Sequence, residues 1–149
     1  MNDNASVLII DDDDAVRRVF CRILEHAGLR VLEASTGKLG LSLCREQQPS
    51  VVLLDLRMPE MDGLEVLSTL VMEHPEMPVI VVSGHGTMTD AVQALRRGAW
   101  DFFSKPLPDK EILVHAARRG IERSALLREN REYSQSLRDT NQRLSAAPE

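Results

Sequence analysis

The chain has 149 residues, with 18 Lys or Arg against 23 Asp or Glu, for a formal charge of −5. That length fits one domain and a remainder. A content of 43% hydrophobic and 28% charged residues excludes a disordered chain, and the acidic balance disfavours nonspecific nucleic-acid binding. The charge is unevenly placed: Asp11, Asp12, Asp13 and Asp14 are consecutive, whereas Lys38, Lys105 and Lys110 are the only lysines. Four adjacent carboxylates repel one another, so they are either solvated or held by a cation.

The first apolar run is Val7-Leu8-Ile9-Ile10-Asp11. Uninterrupted, β-branched apolarity of this kind marks a strand buried on both faces, as in a parallel sheet. Val16, Val19, Phe20, Ile23, Leu24 and Ala27 then recur on one face of a helix. Arg30–Ala34 is a weaker strand, and Leu39/Leu43 mark a second helix. Val51-Val52-Leu53-Leu54-Asp55 repeats the pattern of the first strand, followed by a helix with Leu64, Leu67 and Val71. Val79-Ile80-Val81-Val82-Ser83 is followed by Met88/Ala91/Leu95, and Asp101–Lys105 is the last strand. Five βα units in a row predict a doubly wound α/β sandwich with right-handed crossovers. Chemistry in such sheets gathers outside the carboxyl ends of the strands, where Asp11, Asp12, Asp55, Ser83 and Lys105 all fall.

From about Asp109 to Leu144 there is no proline and only one glycine, Gly120, which predicts one long helix. Read as heptads, it places Leu126, Tyr133 and Thr140 at one seam position and Asn130, Leu137 and Leu144 at the other. The seam fits a homodimer through this helix, with Asn130 setting register; a solvated extension without a partner is the other reading. Residues 1–122 form the predicted globular domain and 123–149 a helical linker. Residues 1–115 hold 11 basic and 18 acidic side chains, residues 116–149 seven and five. Cys21 and Cys44 sit in apolar stretches without metal-ligand spacing and read as free buried thiols of a reducing compartment. Without a signal peptide or an apolar run of ~20 residues, the expected location is cytoplasmic, with no membrane contact.

Asp11, Asp12 and Asp55 would bring three carboxylates to one point. At an effective dielectric near 20, two unit charges about 4 Å apart repel by roughly 4 kcal/mol. A divalent cation relieves this, and a set of oxygen donors without His or Cys suits Mg²⁺. With Lys105 as a point charge and Ser83 as a hydroxyl, the set reads as apparatus for phosphoryl transfer to an aspartate.

Five motifs in order carry a resemblance: LIIDDDD (8–14), LLDLRMPEMDG (53–63), VVSGHG (81–86), GAWDFFSKP (98–106) and the βα periods that join them. From residue 6 to about 122 the chain resembles the response-regulator receiver domains of two-component signalling. The resemblance implies a flavodoxin-like fold of strand order 2-1-3-4-5, and a phosphoacceptor at Asp55 that takes its phosphoryl group from a sensor histidine kinase. It also implies Mg²⁺, with Mn²⁺ as a substitute, held by Asp12, Asp55 and the backbone carbonyl of Arg57, with Asp11 acting through water. Ser83 and Lys105 would each bind a phosphoryl oxygen, Phe102 would be the switch aromatic, and the Lys105–Pro106 bond would be cis. Arg57 and His85 would tune dephosphorylation.

Blander roles suit the neighbours. Asp13 and Asp14 open a helix, where acids favour the positive dipole end. Met58 and Pro59 shape a loop, Trp100 packs, Phe103 faces the core, and His26, His74 and His115 lie on the surface. Two other functions use similar parts. Haloacid-dehalogenase-type phosphatases carry a second Asp two residues after the nucleophile, where this chain has Arg57; a pseudo-receiver would bind partners without phosphorylation. The segment 118–144 resembles the signalling helix of stationary-phase sigma-factor regulators that precede a PP2C-like phosphatase domain. It is also similar to linkers before cyclic-di-GMP phosphodiesterases, so an output domain in cis, beyond a chain that reads as a fragment, is expected.

Overall fold

The structure is a computed structural model that describes residues 5–59, 61–84 and 87–146, with side chains of the last helix through residue 141. Strands β1 (Ser6–Ile10), β2 (Arg30–Ala34) and β3 (Val51–Leu54) appear where the apolar runs place them. Two-residue strands β4 (Arg57–Met58) and β5 (Met61–Asp62) follow, then β6 (Val79–Ser83) and β7 (Asp101–Ser104). The helices are α1 (Asp14–His26), α2 (Gly37–Gln47), α3 (Gly63–Glu73), α4 (Met88–Arg96) and α5 (Lys110–Ala146).

The main sheet runs β2-β1-β3-β6-β7 and every pair in it is parallel. This is the expected order, with β4 and β5 set apart as an antiparallel pair. Two residues carry no hydrophobic period, so no sequence pattern announces that pair. Alternate strand residues face opposite layers. Leu8, Ile10, Val52, Leu54, Val79 and Val81 pack with α2, α3 and α4. Val7, Ile9, Val51, Leu53, Ile80 and Val82 pack with α1 and α5.

Each helix start has a local cause. Asp13 caps α1 by accepting from the amides of Ala15 and Val16. Thr36 caps α2 and Asp62 caps α3 in the same way. Thr87 and Asp90 form a reciprocal capping box on α4.

Several faces differ from the periodic reading. On α1, Leu24 and Cys21 are buried while Val19 is 52% exposed. On α2 the buried face is Gly37, Gly40 and Cys44, and Leu39 is exposed. A Cβ on Gly40 would clash with the Ile10 side chain, so here the helix backbone itself packs on the sheet. On α4 the buried residue is Ala94, whereas Met88 and Leu95 face outward. His74 is not a surface residue: it is partly buried, and its Nε2 has no hydrogen-bond partner. Phe103 is partly rather than fully buried, on the opposite layer from Phe102. Cys21 and Cys44 are free and buried, as expected.

Helix α5 runs unbroken through residue 122, the expected domain boundary. Beyond it, Ser124 is buried and Arg131 forms an ion pair with Glu76 at 3.0 Å. Leu126, Tyr133 and Leu137 are exposed at 63%, 65% and 48%. No helix among the described residues is long and apolar enough to cross a membrane.

Candidate phosphoacceptor site

The sheet ladder extends one step past three strands and so fixes the backbone of the site. The amide of Asp11 donates to the Ala34 carbonyl (3.1 Å), that of Asp55 to Ile10 (2.9 Å) and that of Lys105 to Ser83 (2.9 Å). The side chains of these residues therefore start from rigid points at one edge. Asp11 and Asp55 are buried at 2% and 7% exposure, whereas Asp12 faces solvent. One oxygen of each of the three carboxylates lies within 4.8 Å of the others.

Lys105 crosses the pocket. Its Nζ lies 2.6 Å from Asp11 Oδ2 and 3.7 Å from Asp55 Oδ2, and 5.9 Å from the centre of the Phe20 ring. Burial pushes the Asp55 carboxyl above its usual range; the Arg57 amide and Lys105 pull it down, and Asp11 and Asp12 push it up again. The Arg57 amide donates to Asp55 Oδ1 at 3.1 Å. Hard oxygen donors, two of them buried and incompletely neutralised by one lysine, fit a divalent cation of the Mg²⁺ type.

The neighbouring loops are held tightly. Asp11 Oδ1 accepts from the Asp13 amide at 2.9 Å. A Cβ on Gly63 would run into the carbonyl oxygen of Leu56, the residue after Asp55, so only glycine lets α3 begin so close to the loop after β3. Met58 is buried beneath the same loop.

The sequence-predicted residues fall as follows. Asp11, Asp12, Asp55 and Lys105 converge. Ser83 ends β6, which pairs with β3, and is 1% exposed. Phe102 lies on β7 and packs against the α2–α4 layer. The Lys105–Pro106 peptide is cis, as expected. His85 lies outside the described residues.

Two residues escaped the sequence reading. Arg17 donates to the Asp11 carbonyl at 2.9 Å and pairs with Asp14 and Glu33, which pins the acidic loop. The spacing of Asp14 and Arg17, one helical turn, was the available signal. Asp90 accepts from the Arg57 guanidinium at 3.4 Å, a contact across 33 residues that no local pattern shows. Beside Lys105, Val16, Val19, Phe20 and Ile23 of α1 and Leu107 line an open groove of about 650 Å³.

Residues 7–117 match the response regulator receiver domain family. The chain belongs to that family: a parallel five-stranded sandwich with an acidic pocket at the carboxyl edge of its sheet. Among curated relatives it is 39% identical over 137 residues to the C4-dicarboxylate transport transcriptional regulatory protein DctD of Pseudomonas aeruginosa, covering 91% of this chain and 29% of that protein. It is 36% identical to the response regulator protein TmoT of Ectopseudomonas mendocina, covering 97% of this chain and 66% of that one. Among solved structures, the receiver domain of NtrX from Brucella abortus superposes with a TM-score of 0.74 at 34% identity, covering 78% of this chain and 98% of that one. The chain thus spans less than a third of the DctD relative.

Proposed function

We propose that this receiver domain is a phosphorylation switch whose acceptor is Asp55, charged by the phosphohistidine of a sensor kinase. The observation that carries it is the placement of the buried Asp55 carboxylate 3.7 Å from Lys105 and within one pocket of Asp11 and Asp12. Transfer breaks the donor P–N bond and forms a P–O bond to an Asp55 oxygen, and the histidine leaves as imidazole. Asp12, Asp55 and the Arg57 carbonyl would hold Mg²⁺, with Asp11 reaching it through water; Mn²⁺ would substitute. The cation supplies charge neutralisation during transfer.

Lys105 exchanges Asp11 for a phosphoryl oxygen, and the Ser83 hydroxyl donates to another. Movement of Ser83 toward the phosphoryl group opens space into which the Phe102 ring turns, carrying the change to the surface formed by α4, β7 and the start of α5. Arg57 and His85 tune hydrolysis. The groove between α1 and Leu107 offers an apolar seat for the kinase beside the acceptor.

A dehalogenase-type hydrolase needs an acid two residues past the nucleophile. Arg57 stands there and donates to Asp90, so turnover lacks its proton donor. A pseudo-receiver leaves the buried Asp55–Lys105–Asp11 set without a purpose.

Beyond residue 122, the outer stripe of Leu126, Tyr133 and Leu137 forms a homodimer seam, and the output it drives lies in cis. The relatives named above include a transcriptional regulator, which favours a transcriptional output over the PP2C-like or phosphodiesterase outputs whose preceding linker helices α5 resembles. This segment itself contacts no nucleic acid, and the protein acts in the cytoplasm.

The decisive experiment is incubation with a labelled small-molecule phosphodonor and Mg²⁺. Wild type takes up label, whereas Asp55→Asn takes up none. Label on the Asn variant refutes the acceptor, and unchanged Mg²⁺ affinity in Asp12→Ala refutes the metal assignment. For the seam, sedimentation of the whole chain against one ending near residue 122 distinguishes dimer from monomer; two monomers refute it.

A further inference from the structure

Helices α1 and α5 share one layer of the sandwich and leave an open groove of about 470 Å³ between them. Arg22 and His26 of α1 and Lys110 and Arg118 of α5 line it, and Glu111 is the one carboxylate beside them among the described residues. Ile23, Ala27 and Val114 supply its apolar lining. Three permanent cations thus stand against one acid, although residues 1–115 hold 11 basic and 18 acidic side chains.

The fold does not call for these cations. Arg22 and Lys110 are exposed, and among the described residues neither pairs with an acid. Arg18, Arg22 and His26 recur at four-residue spacing on α1, where like charges disfavour a helix. Lys110 stands in the first turn of α5, where a cation opposes the positive end of the dipole. Arg118 Nη2 donates to the carbonyl of Ala27, the C-cap of α1, at 3.0 Å. That bond fixes the guanidinium at the groove and uses one of its five donors. Side chains that break local helix rules without a packing gain mark a functional surface. The groove also extends toward the acceptor edge: Ile23 and Lys110 line both it and the groove beside Lys105, which adds Val19, Phe20 and Leu107.

We propose that the basic half of this groove binds the di- or triphosphate of a small ligand, and that any remaining part of the ligand lies along Val19 and Phe20. Guanidinium forks meet phosphate oxygens through paired hydrogen bonds, Lys110 adds a point charge and His26 a further donor. Several clustered cations suit several clustered anionic oxygens better than a lone carboxylate. The net acidity of the surrounding domain repels a long polyanion such as DNA, which favours a small ligand. A ligand that reaches the apolar half overlaps the kinase seat proposed above.

The test is calorimetric titration of the whole chain with ADP and, separately, with inorganic pyrophosphate. EDTA is present so that no divalent cation links phosphates to Asp11, Asp12 and Asp55. The expected result is one saturable site with a dissociation constant below about 1 mM. Arg22→Glu loosens it about tenfold, whereas Arg138→Glu, the same change of net charge on the outer helix, stays within about twofold of wild type. Lys110→Glu loosens it as well while thermal stability holds or rises, because an acid suits that helix start. Val19→Ser separates the two sources of polyphosphate. Weaker ADP with unchanged pyrophosphate identifies a nucleotide; unchanged affinity for both identifies a site that reads phosphates alone. Equal weakening of both contradicts the two-part groove. Absence of saturable binding by either probe overturns the proposal. So do equal effects of Arg22→Glu and Arg138→Glu, or tighter binding of a short DNA duplex than of both small probes.

Discussion

At the carboxyl edge of the sheet, two carboxylates are almost wholly buried and one lysine answers both. In the outer half of α5, from Arg131 to Asn141, every residue faces solvent, and an ion pair from Arg131 reaches back to Glu76. The first region keeps charges out of water and unbalanced, which disposes it to answer a change in charge. The second leaves its charges hydrated, where they matter little to stability, and exposes apolar side chains instead. One chain thus separates a region of buried, unbalanced charge from a region of exposed apolar area.

The largest expected effect lies at the buried carboxyl edge of the sheet. Lys105→Ala removes the cation that pairs with both the Asp11 and the Asp55 carboxylates. Breaking a buried pair in this way costs roughly 3–5 kcal/mol. Denaturant unfolding should show the loss in EDTA and a partial recovery on adding Mg²⁺. A loss below about 0.5 kcal/mol would mean that this edge is as well hydrated as α5, and the contrast between the two would vanish.

Gly63→Ala sharpens the contrast from the side of packing. Its Cβ meets backbone at Leu56 rather than a flexible side chain, so a loss of roughly 1–3 kcal/mol is expected, together with slower labelling of Asp55. Gly84→Ala, with nothing among the described residues within 4 Å of the added carbon, is the control.

The Asp55 carboxyl predicts a pH dependence. Because burial raises its pKa in the folded chain, the fold favours the protonated acid. Its contribution is full below the unfolded pKa and is lost as pH rises through the folded value. Asp55→Asn should therefore be modestly more stable than wild type at pH 7 without Mg²⁺. The gap should close as pH falls through the carboxylate range, and thermal melts from pH 7 to pH 4 would show it. A constant gap contradicts the assignment.

The smallest effect belongs to α5. Arg131→Ala should change stability by about 0–1 kcal/mol, as for other exposed pairs. A larger loss in thermal unfolding would show that the outer helix is part of the folded core.

Much of this was legible in the sequence, for reasons that can be stated. Strands buried on both faces advertise themselves as unbroken apolar runs, and β1, β3 and β6 lie within a residue of those runs. Asp11, Asp55 and Lys105 were found because strand ends in a parallel sheet converge. The faces of α2 and α4 were not legible. A helix can pack through Gly40 or Ala94, which carry little hydrophobic signal, while Leu39 and Met88 point outward. The Arg57–Asp90 and Arg131–Glu76 pairs were equally hidden, since both join residues far apart in the chain. His74 read as surface because nothing local shows that α5 comes down beside its loop.

Helix α5 packs Gly120 on Val51 so closely that a Cβ would lie 2.5 Å from that side chain, and it pairs with Glu76 of the domain again at Arg131. From Gly120 to Ala146 the helix rises about 39 Å at 1.5 Å per residue. A rigid rod of that length, pivoting at its seat by about 5°, moves its far end by about 3 Å. That is comparable to half the spacing of a helical turn, enough to change which side chains meet across a pair of such rods. A repacking at the Gly120 seat too small to alter the fold would therefore be magnified along the helix toward its far end.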